Sequence, residues 1–216
     1  TSLVDRFCNG DPSNDVLTNE YFYLGGHVRR VSDWNRLPDA VRDYDEFYGG
    51  DLQGVMDKLD YLQELGVEIV WLSPVYCSPL ADQGYDISDY FSIDPRFGTM
   101  ADMDRLLAEA KARGIAVIMD LVVNHTSDEH RWFIESKKGK DNPYHDYYYW
   151  RKGRTVRGRR LPPNNWTSVF EGDAWEYDEG LDEYYLHLFA RKQPDLNMDN
   201  PRVREEVKKI MRFWLD

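Results

Sequence analysis

Two rhythms of apolar residues run along the chain, one with the period of a buried strand and one with the period of a helix face. Gly114 is followed by I-A-V-I-M-D-L-V-V, an apolar run from Ile115 to Val123 interrupted only by Asp120. A run this dense in Val and Ile predicts a strand covered on both faces, as in a parallel sheet. V-E-I-V-W-L, Val67 to Leu72, reads the same way and stops at Ser73-Pro74, and Ser2 to Phe7 reads as a shorter strand. The helical rhythm appears in Asp51–Leu65, with Leu52, Val55, Leu59, Leu62 and Leu65 on one face and Gly66 as the stop. Thr99-Met-Ala-Asp102 resembles a capping box opening a helix to Arg113, with Met103, Leu106, Leu107 and Ala110 inward. Asn200-Pro201 supplies an N-cap and a first-turn proline for a last helix that buries Val203, Val207, Ile210, Met211 and Trp214.

Between these elements the pattern weakens. Cys8 to Gly50 has no sustained period, and structureless loops of such length are usually functional. Val75 to Gly98 reads as a loop with turns at Ser78-Pro79, Gln83-Gly84 and Asp94-Pro95. Asp128–Lys138 suggests a short helix with Trp132 and Phe133 as its apolar side. From Gly139 to Met198 only short aromatic runs remain, Tyr147–Trp150, Trp166–Phe170 and Tyr184–Phe189, which read as small strands of a compact inserted subdomain.

The order is therefore strand, long loop, helix, strand, loop, helix, strand, insertion, helix. Repeated βα units imply parallel strands, in a doubly wound sheet or a (β/α)8 barrel. No Gly-rich phosphate loop follows any strand, which argues against nucleotide binding. A barrel needs eight strands, so three strands look like the first part of one. The predicted organisation is 1–138 for the first three βα units, 139–198 for the insertion and 199–216 for the helix after it.

Charge and composition narrow the chemistry. A formal charge of -12 disfavours nucleic acid and anionic membrane surfaces as partners. Aromatic residues make up 14%, including seven Trp and fifteen Tyr, a supply of rings that serves a core or a sugar-stacking cleft. Cys8 and Cys77 match no metal or redox spacing and read as free thiols of a reducing, cytoplasmic compartment. No apolar run has the length of a membrane span, and no signal peptide is visible. Both ends of the chain look cut.

Polar clusters follow the three strands. Asn9, Asp11, Asn14 and Asp15, with Asp51 and the Gly49 carbonyl, offer an oxygen-only ligand set, which suits Ca2+ rather than a soft metal; the same residues also read as an Asx-rich turn without metal. The second cluster holds Asp82, Tyr85 and Asp86. The third is Asn124 and His125, and His125 taken alone also reads as a histidine closing a strand end.

L-S-P-V-Y, G-Y-D-I-S-D-Y, D-L-V-V-N-H-T-S and Q-P-D-L-N, in this order, resemble the α-amylase family of glycoside hydrolases over essentially the whole chain. From about Ser73 onward the chain is most similar to oligo-1,6-glucosidases, dextran glucosidases and α-glucosidases. R-F-C-N-G-D-P-S-N-D and Y-G-G-D-L-Q-G instead resemble the cyclomaltodextrinase and neopullulanase group. The resemblance implies a (β/α)8 barrel with a domain B after the third strand. It implies that Tyr85 stacks on the glucose at subsite -1, that His125 hydrogen-bonds to that sugar, and that Asp82 holds a non-reducing-end glucose. Asp120 would be structural rather than catalytic. Asn9, Asp11, Asn14, Asp15, Gly49 and Asp51 match the calcium site of the cyclomaltodextrinase group.

Retaining hydrolysis of a glycoside needs a nucleophilic carboxylate and an acid/base carboxyl about 5 Å apart. In the family these follow the fourth and later strands, so no catalytic residue is assigned within Thr1–Asp216. The expectation is the N-terminal portion of an α-glucosidase acting on α-glucans or malto- and isomalto-oligosaccharides, inactive by itself and completed by the rest of the barrel in the same or another chain. A non-catalytic α-amylase-like module, or a splice of the two subgroup sequences, are the alternatives.

Overall fold

The computed structural model describes residues 3–16, 20, 22–23, 26–31, 33, 46–170 and 172–216. They fall into two compact units, Thr1–Tyr85 with Phe91–Asp120, and Asp86–Tyr90 with Leu121–Asp216.

The first unit opens with α1 (Val4–Phe7) and a 3-10 turn at Pro12–Asn14. Two short strand pairs follow: β1 (Phe22–Tyr23) with β2 (Gly26–His27), antiparallel, and β3 (Arg29–Arg30) with β4 (Glu46–Phe47), parallel. Next come α2 (Leu52–Asp57), α3 (Leu59–Glu64), β5 (Ile69–Leu72), and β6 (Tyr76–Cys77) paired with β7 (Asp89–Ile93). α4 (Met100–Ala112) and β8 (Ala116–Met119) complete a β-α-β connection in which β5 and β8 are parallel, Ile69 opposite Ala116 and Leu72 opposite Met119. The capping box forms as the spacing predicts: the Asp102 backbone donates to Thr99 Oγ1 and the Thr99 backbone to Asp102 Oδ2.

Several sequence expectations are corrected. The strand expected over Ser2–Phe7 is a helical turn, with Ser2 outside the described residues. A short apolar run does not choose between strand and turn; here the Val4 N–H donates to Ser73 Oγ at 3.1 Å, a partner 69 residues away. The helix expected over Asp51–Leu65 breaks at Lys58 (φ -108°, ψ 8°), and its stripe fades, with Leu62 half-buried and Leu65 exposed. Leu107 of α4 also faces solvent. The region 75–98, read as loop, contains β6 and β7.

The Ile115–Val123 strand is shorter than its apolar run, ending at Met119, and it is not covered on both faces. Val70 and Leu72 are buried, whereas Ile69, Trp71 and Ile118 are 57%, 44% and 44% exposed. Side chains alternate across a strand and Trp71 pairs with Ile118, so these three share one face. Among the described residues that face is only about half covered.

The second unit holds α5 (Arg131–Ser136), β9 (Trp150–Arg151), β10 (Arg154–Val156), β11 (Arg159–Leu161), β12 (Trp175–Asp178), β13 (Glu183–Leu186) and α6 (Pro201–Leu215). β12, β13 and β9 form an antiparallel sheet in that order, and β10 and β11 form a separate hairpin. Its packing is aromatic: Phe133 stacks on Trp150 at 5.7 Å and meets Tyr185 edge-on at 5.0 Å, beside a core of Ala174, Trp175, Tyr184 and Leu186. The helix expected over Asp128–Lys138 shortens to α5. Trp166–Phe170 is not a strand but a single bridge residue, Thr167, followed by a turn. α6 starts where expected, Asn200 Oδ1 accepting from the Arg202 N–H at 2.9 Å. It buries Val203 and Ile210, half-buries Val207 and Trp214, and exposes Met211. No helix among the described residues is long and apolar enough to cross a membrane.

Candidate functional site

In the first unit the chemistry gathers on Asp120, the residue after β8. Asp120 Oδ1 accepts from Trp71 Nε1 at 2.9 Å and Oδ2 accepts from the Tyr85 hydroxyl at 2.9 Å. The Asp120 backbone carbonyl accepts from the Tyr76 hydroxyl at 2.8 Å. Trp71 is on β5, so parallel pairing brings it to this corner. Tyr85 arrives on a tight turn whose Asp82 carbonyl accepts its backbone N–H at 3.0 Å. Gly84 in that turn has φ +98°, and a Cβ there would lie 2.8 Å from the Pro74 carbonyl oxygen, so both backbone and space require glycine. Burial, the hydrogen bond to Asp120 and the charges of Asp120 and Asp82 push the Tyr85 phenol up to about 12. Tyr85 therefore stays protonated, and its ring remains 36% exposed, a held aromatic surface.

His125 lies in the second unit. Its ring is buried, and Nδ1 sits 3.2 Å from Asn124 Nδ2; with the amide donating, Nδ1 accepts and the ring proton is on Nε2. The backbone is fixed from two sides. His125 and Asp195 form an antiparallel bridge, and the Leu196 N–H donates to the Asn124 carbonyl at 2.9 Å. The Tyr90 hydroxyl donates to the His125 carbonyl at 2.9 Å. The Asn124 amide also bonds the Asp195 carboxyl, so one amide orients both groups; burial nevertheless raises the Asp195 carboxyl to about 6. Phe189 lies 5.2 Å from the His125 ring and Phe170 lies 5.8 Å beyond it, edge-on. A cleft of about 650 Å³ in the same unit is lined by Asn124, Asp195, Trp166 and Trp175.

The predicted sugar residues thus divide. Asp82 and Tyr85 stand together with Asp120, and His125 stands with Asn124, Asp195 and Phe189. The Q-P-D-L-N motif was legible as a family mark; the pairing of its Asp195 with Asn124 and His125, and the presence of Phe189 and Phe170, carry no local signal.

The predicted metal residues lie together in the first unit. Asp51 caps α2 and is fully engaged, accepting from the Gly10, Asp11 and Gly54 N–H groups and from Asn14 Nδ2 at 2.7–3.0 Å. Asp15 accepts from Asn9 Nδ2 and pairs with Arg30, and exposed Asp11 accepts from Ser13. A Cβ on Gly49 would lie 2.4 Å from Asp15 Oδ1, so these segments meet closely. Two oxygens stand out: Asn9 Oδ1 and Asn14 Oδ1 are buried and have no hydrogen-bond donor among the described residues. Among the described residues no group of three or more His, Cys, Asp or Glu side chains is arranged to hold a metal, so any cation here rests on amide and carbonyl oxygens as much as on carboxylates. That donor chemistry fits a hard cation.

The family model described as alpha amylase, catalytic domain, matches residues 3–216. The chain is 65% identical over 167 residues to the oligo-1,6-glucosidase of Parageobacillus thermoglucosidasius, covering 77% of this chain and 29% of that protein. It is 51% identical over 189 residues to the alpha-glucosidase of Schizosaccharomyces pombe, 87% of this chain and 33% of that protein. Its structure is similar to that of Bacillus licheniformis trehalose-6-phosphate hydrolase, with a TM-score of 0.74 and 53% identity over 76% of this chain and 29% of that one. The chain therefore spans about a third or less of the length of these relatives.

Proposed function

The chain belongs to the alpha-amylase catalytic-domain family and is the N-terminal part of its (β/α)8 fold, and from that premise we propose that it is the sugar-holding portion of a retaining α-glucosidase-type glycoside hydrolase. The observation that carries the reading is the strand-end network in which Asp120 fixes the exposed ring of Tyr85. Asp82, Tyr85 and His125 bind the glucose of subsite -1, Tyr85 by stacking, His125 through its Nε2 proton and Asp82 by accepting sugar hydroxyls. Asp120 and Asn124 act through Tyr85 and His125 as positioning residues. The substrates are malto- or isomalto-oligosaccharides, in keeping with the names of the similar oligo-1,6-glucosidase and alpha-glucosidase. Residues 139–198, with their antiparallel sheet, serve as the inserted domain B.

The nucleophile and the acid/base lie outside these residues, so residues 1–216 alone are inactive. The rest of the barrel covers the face of Ile69, Trp71 and Ile118; left open, that face and the strand edges template aggregation. Calcium is held by Asn9, Asn14, Asp15 and the Gly49 carbonyl, with Asp11 and Asp51 shaping the loop. Its charge ties the first loop to the start of α2 and satisfies the two amide oxygens. Cys8 and Cys77 are not joined in a disulfide, which suits a reducing, cytoplasmic compartment.

The test is a chromogenic α-glucoside assay on the intact protein and on residues 1–216. Turnover by the intact protein, lost with Tyr85→Ala or His125→Ala and absent from the short chain, is the expected result. Turnover by the short chain, or none by the intact protein on any α-glucoside, overturns the reading.

A further inference from the structure

Away from the sugar residues, the surface is most uneven in charge. The chain carries a formal charge of -12, yet Arg151, Lys152, Arg154, Arg157, Arg159 and Arg160 crowd into ten residues with no carboxylate among them. Most of them ride on the β10–β11 hairpin, whose tip places Arg157 (φ +51°) and Gly158 (φ +76°) in the left-handed region that a tight two-residue turn requires. The register sets Arg154 against Leu161, Thr155 against Arg160 and Val156 against Arg159. Arg154, Val156 and Arg159 thus share one face, and Arg160 lies on the other. The second face is engaged within the chain: the Arg160 guanidinium sits 4.0 Å over the Tyr177 ring and 3.8 Å from Asp182, and Lys152 Nζ is 3.2 Å from the same carboxylate. On the first face Arg154 donates to the Pro162 carbonyl. Arg157 and Arg159 form no ion pair among the described residues.

The same unit carries the opposite charge. From Asp173 to Glu183 there are six carboxylates and no cation: Asp173 lies ahead of β12, bridged to Thr167, and the other five are borne by β12, β13 and the turn between them. Glu176 is paired to Arg191, Asp178 to Lys137 and Glu183 to Lys140. Asp173 and Glu179 are exposed and form no ion pair among the described residues.

We propose that this surface is a self-association site: the basic β10–β11 hairpin of one copy docks on the acidic segment from Asp173 to Glu183 of a second copy, and the reverse contact forms at the same time about a two-fold axis. A surface that presents both signs side by side offers its own complement to a symmetry-related copy. Two copies that each carry a formal charge of -12 can still meet here, because charges farther apart than about 8 Å are largely screened at physiological salt and the local patches decide the contact. Exposed ion pairs are individually weak, so the dimer is salt-sensitive and transient.

Sedimentation of the intact protein tests this. Concentration-dependent dimers are expected at about 50 mM salt and monomers at about 500 mM, where the screening length is shortest. Arg157→Glu with Arg159→Glu should give monomers at low salt, and so should Asp173→Lys with Glu179→Lys. An equimolar mixture of the two variants should restore the dimer, because the reversed hairpin then meets the reversed acidic segment while the native pair meets in the other contact. Circular dichroism melts check that both variants stay folded. A protein that is monomeric at every salt concentration, a dimer indifferent to the substitutions, or a mixture that stays monomeric overturns the proposal. So does a monomer that binds heparin or anionic vesicles through the hairpin, which would assign the patch to a polyanion.

Discussion

Asp120 Oδ2 accepts the Tyr85 hydroxyl proton at 2.9 Å, while Oδ1 of the same carboxylate accepts from Trp71 Nε1 at 2.9 Å. One side chain beyond a strand end thus holds two rings from two other segments. Tyr85→Phe deletes one donor and leaves Asp120 its other partner, so a loss of about 0.5–1.5 kcal/mol in stability is expected. Asp120→Ala leaves both donors without an acceptor and should cost more, about 2–4 kcal/mol. In the intact enzyme Tyr85→Phe should keep most of the sugar affinity, because the stacking ring remains, whereas Tyr85→Ala should lose it. Denaturant unfolding and inhibition by glucose measure the two effects.

His130 gives a pH dependence of defined sign. Its Nδ1 accepts the Trp132 N–H at the start of α5 at 3.0 Å, which requires an unprotonated nitrogen. Burial, partly opposed by Asp89, lowers it from 6.5 to about 4. The unfolded chain therefore takes up a proton between pH 6.5 and 4 that the folded chain refuses, and His130 withdraws stability as pH falls through that window, on the order of 3 kcal/mol in total. Asp5 and Asp195, both raised to about 6, act oppositely: the stability they add at low pH is lost as pH rises through 6. The informative quantity is the difference between the protein and His130→Asn, which retains a capping oxygen. That difference should shrink steadily from pH 7 to 4 in favour of the variant.

Calcium removal should act through Asn9 and Asn14. Adding EDTA to the intact protein is expected to lower Tm by about 2–8 °C, because an ion bound only by the folded state stabilises it by mass action. Asn9→Ala with Asn14→Ala should melt at the same temperature with and without EDTA. An EDTA shift that survives in the variant places the ion elsewhere.

Gly54 lies where a Cβ would be 1.8 Å from the Cys8 carbonyl oxygen, and the clash is with backbone, which cannot turn away. Gly54→Ala should destabilise by more than about 2 kcal/mol despite the gain in helix propensity. Gly66→Ala differs: its Cβ would meet nothing within 4 Å, and only its φ of +77° opposes the change, at about 1 kcal/mol. Comparing the two melts separates crowding from backbone strain.

The sequence by itself determined the features whose information is local. Thr99 and Asp102 stand three residues apart and cap each other, and Asn200-Pro201 begins α6 because a side-chain oxygen and a fixed φ act within one turn. The motifs around Asp82, Tyr85, His125 and Asp195 were likewise readable, since they are contiguous strings. What depends on distant partners was settled only in three dimensions. Val4–Phe7 is a helical turn rather than a strand, and its first N–H bonds Ser73, 69 residues away. Apolar Ile69, Trp71 and Ile118 share a face that the described residues leave about half open, although their runs read as buried on both sides. Asn124 joins Asp195 to His125 across some seventy residues because antiparallel pairing brings the two strings together. Periodicity reports the face a residue occupies; only packing decides what that face meets.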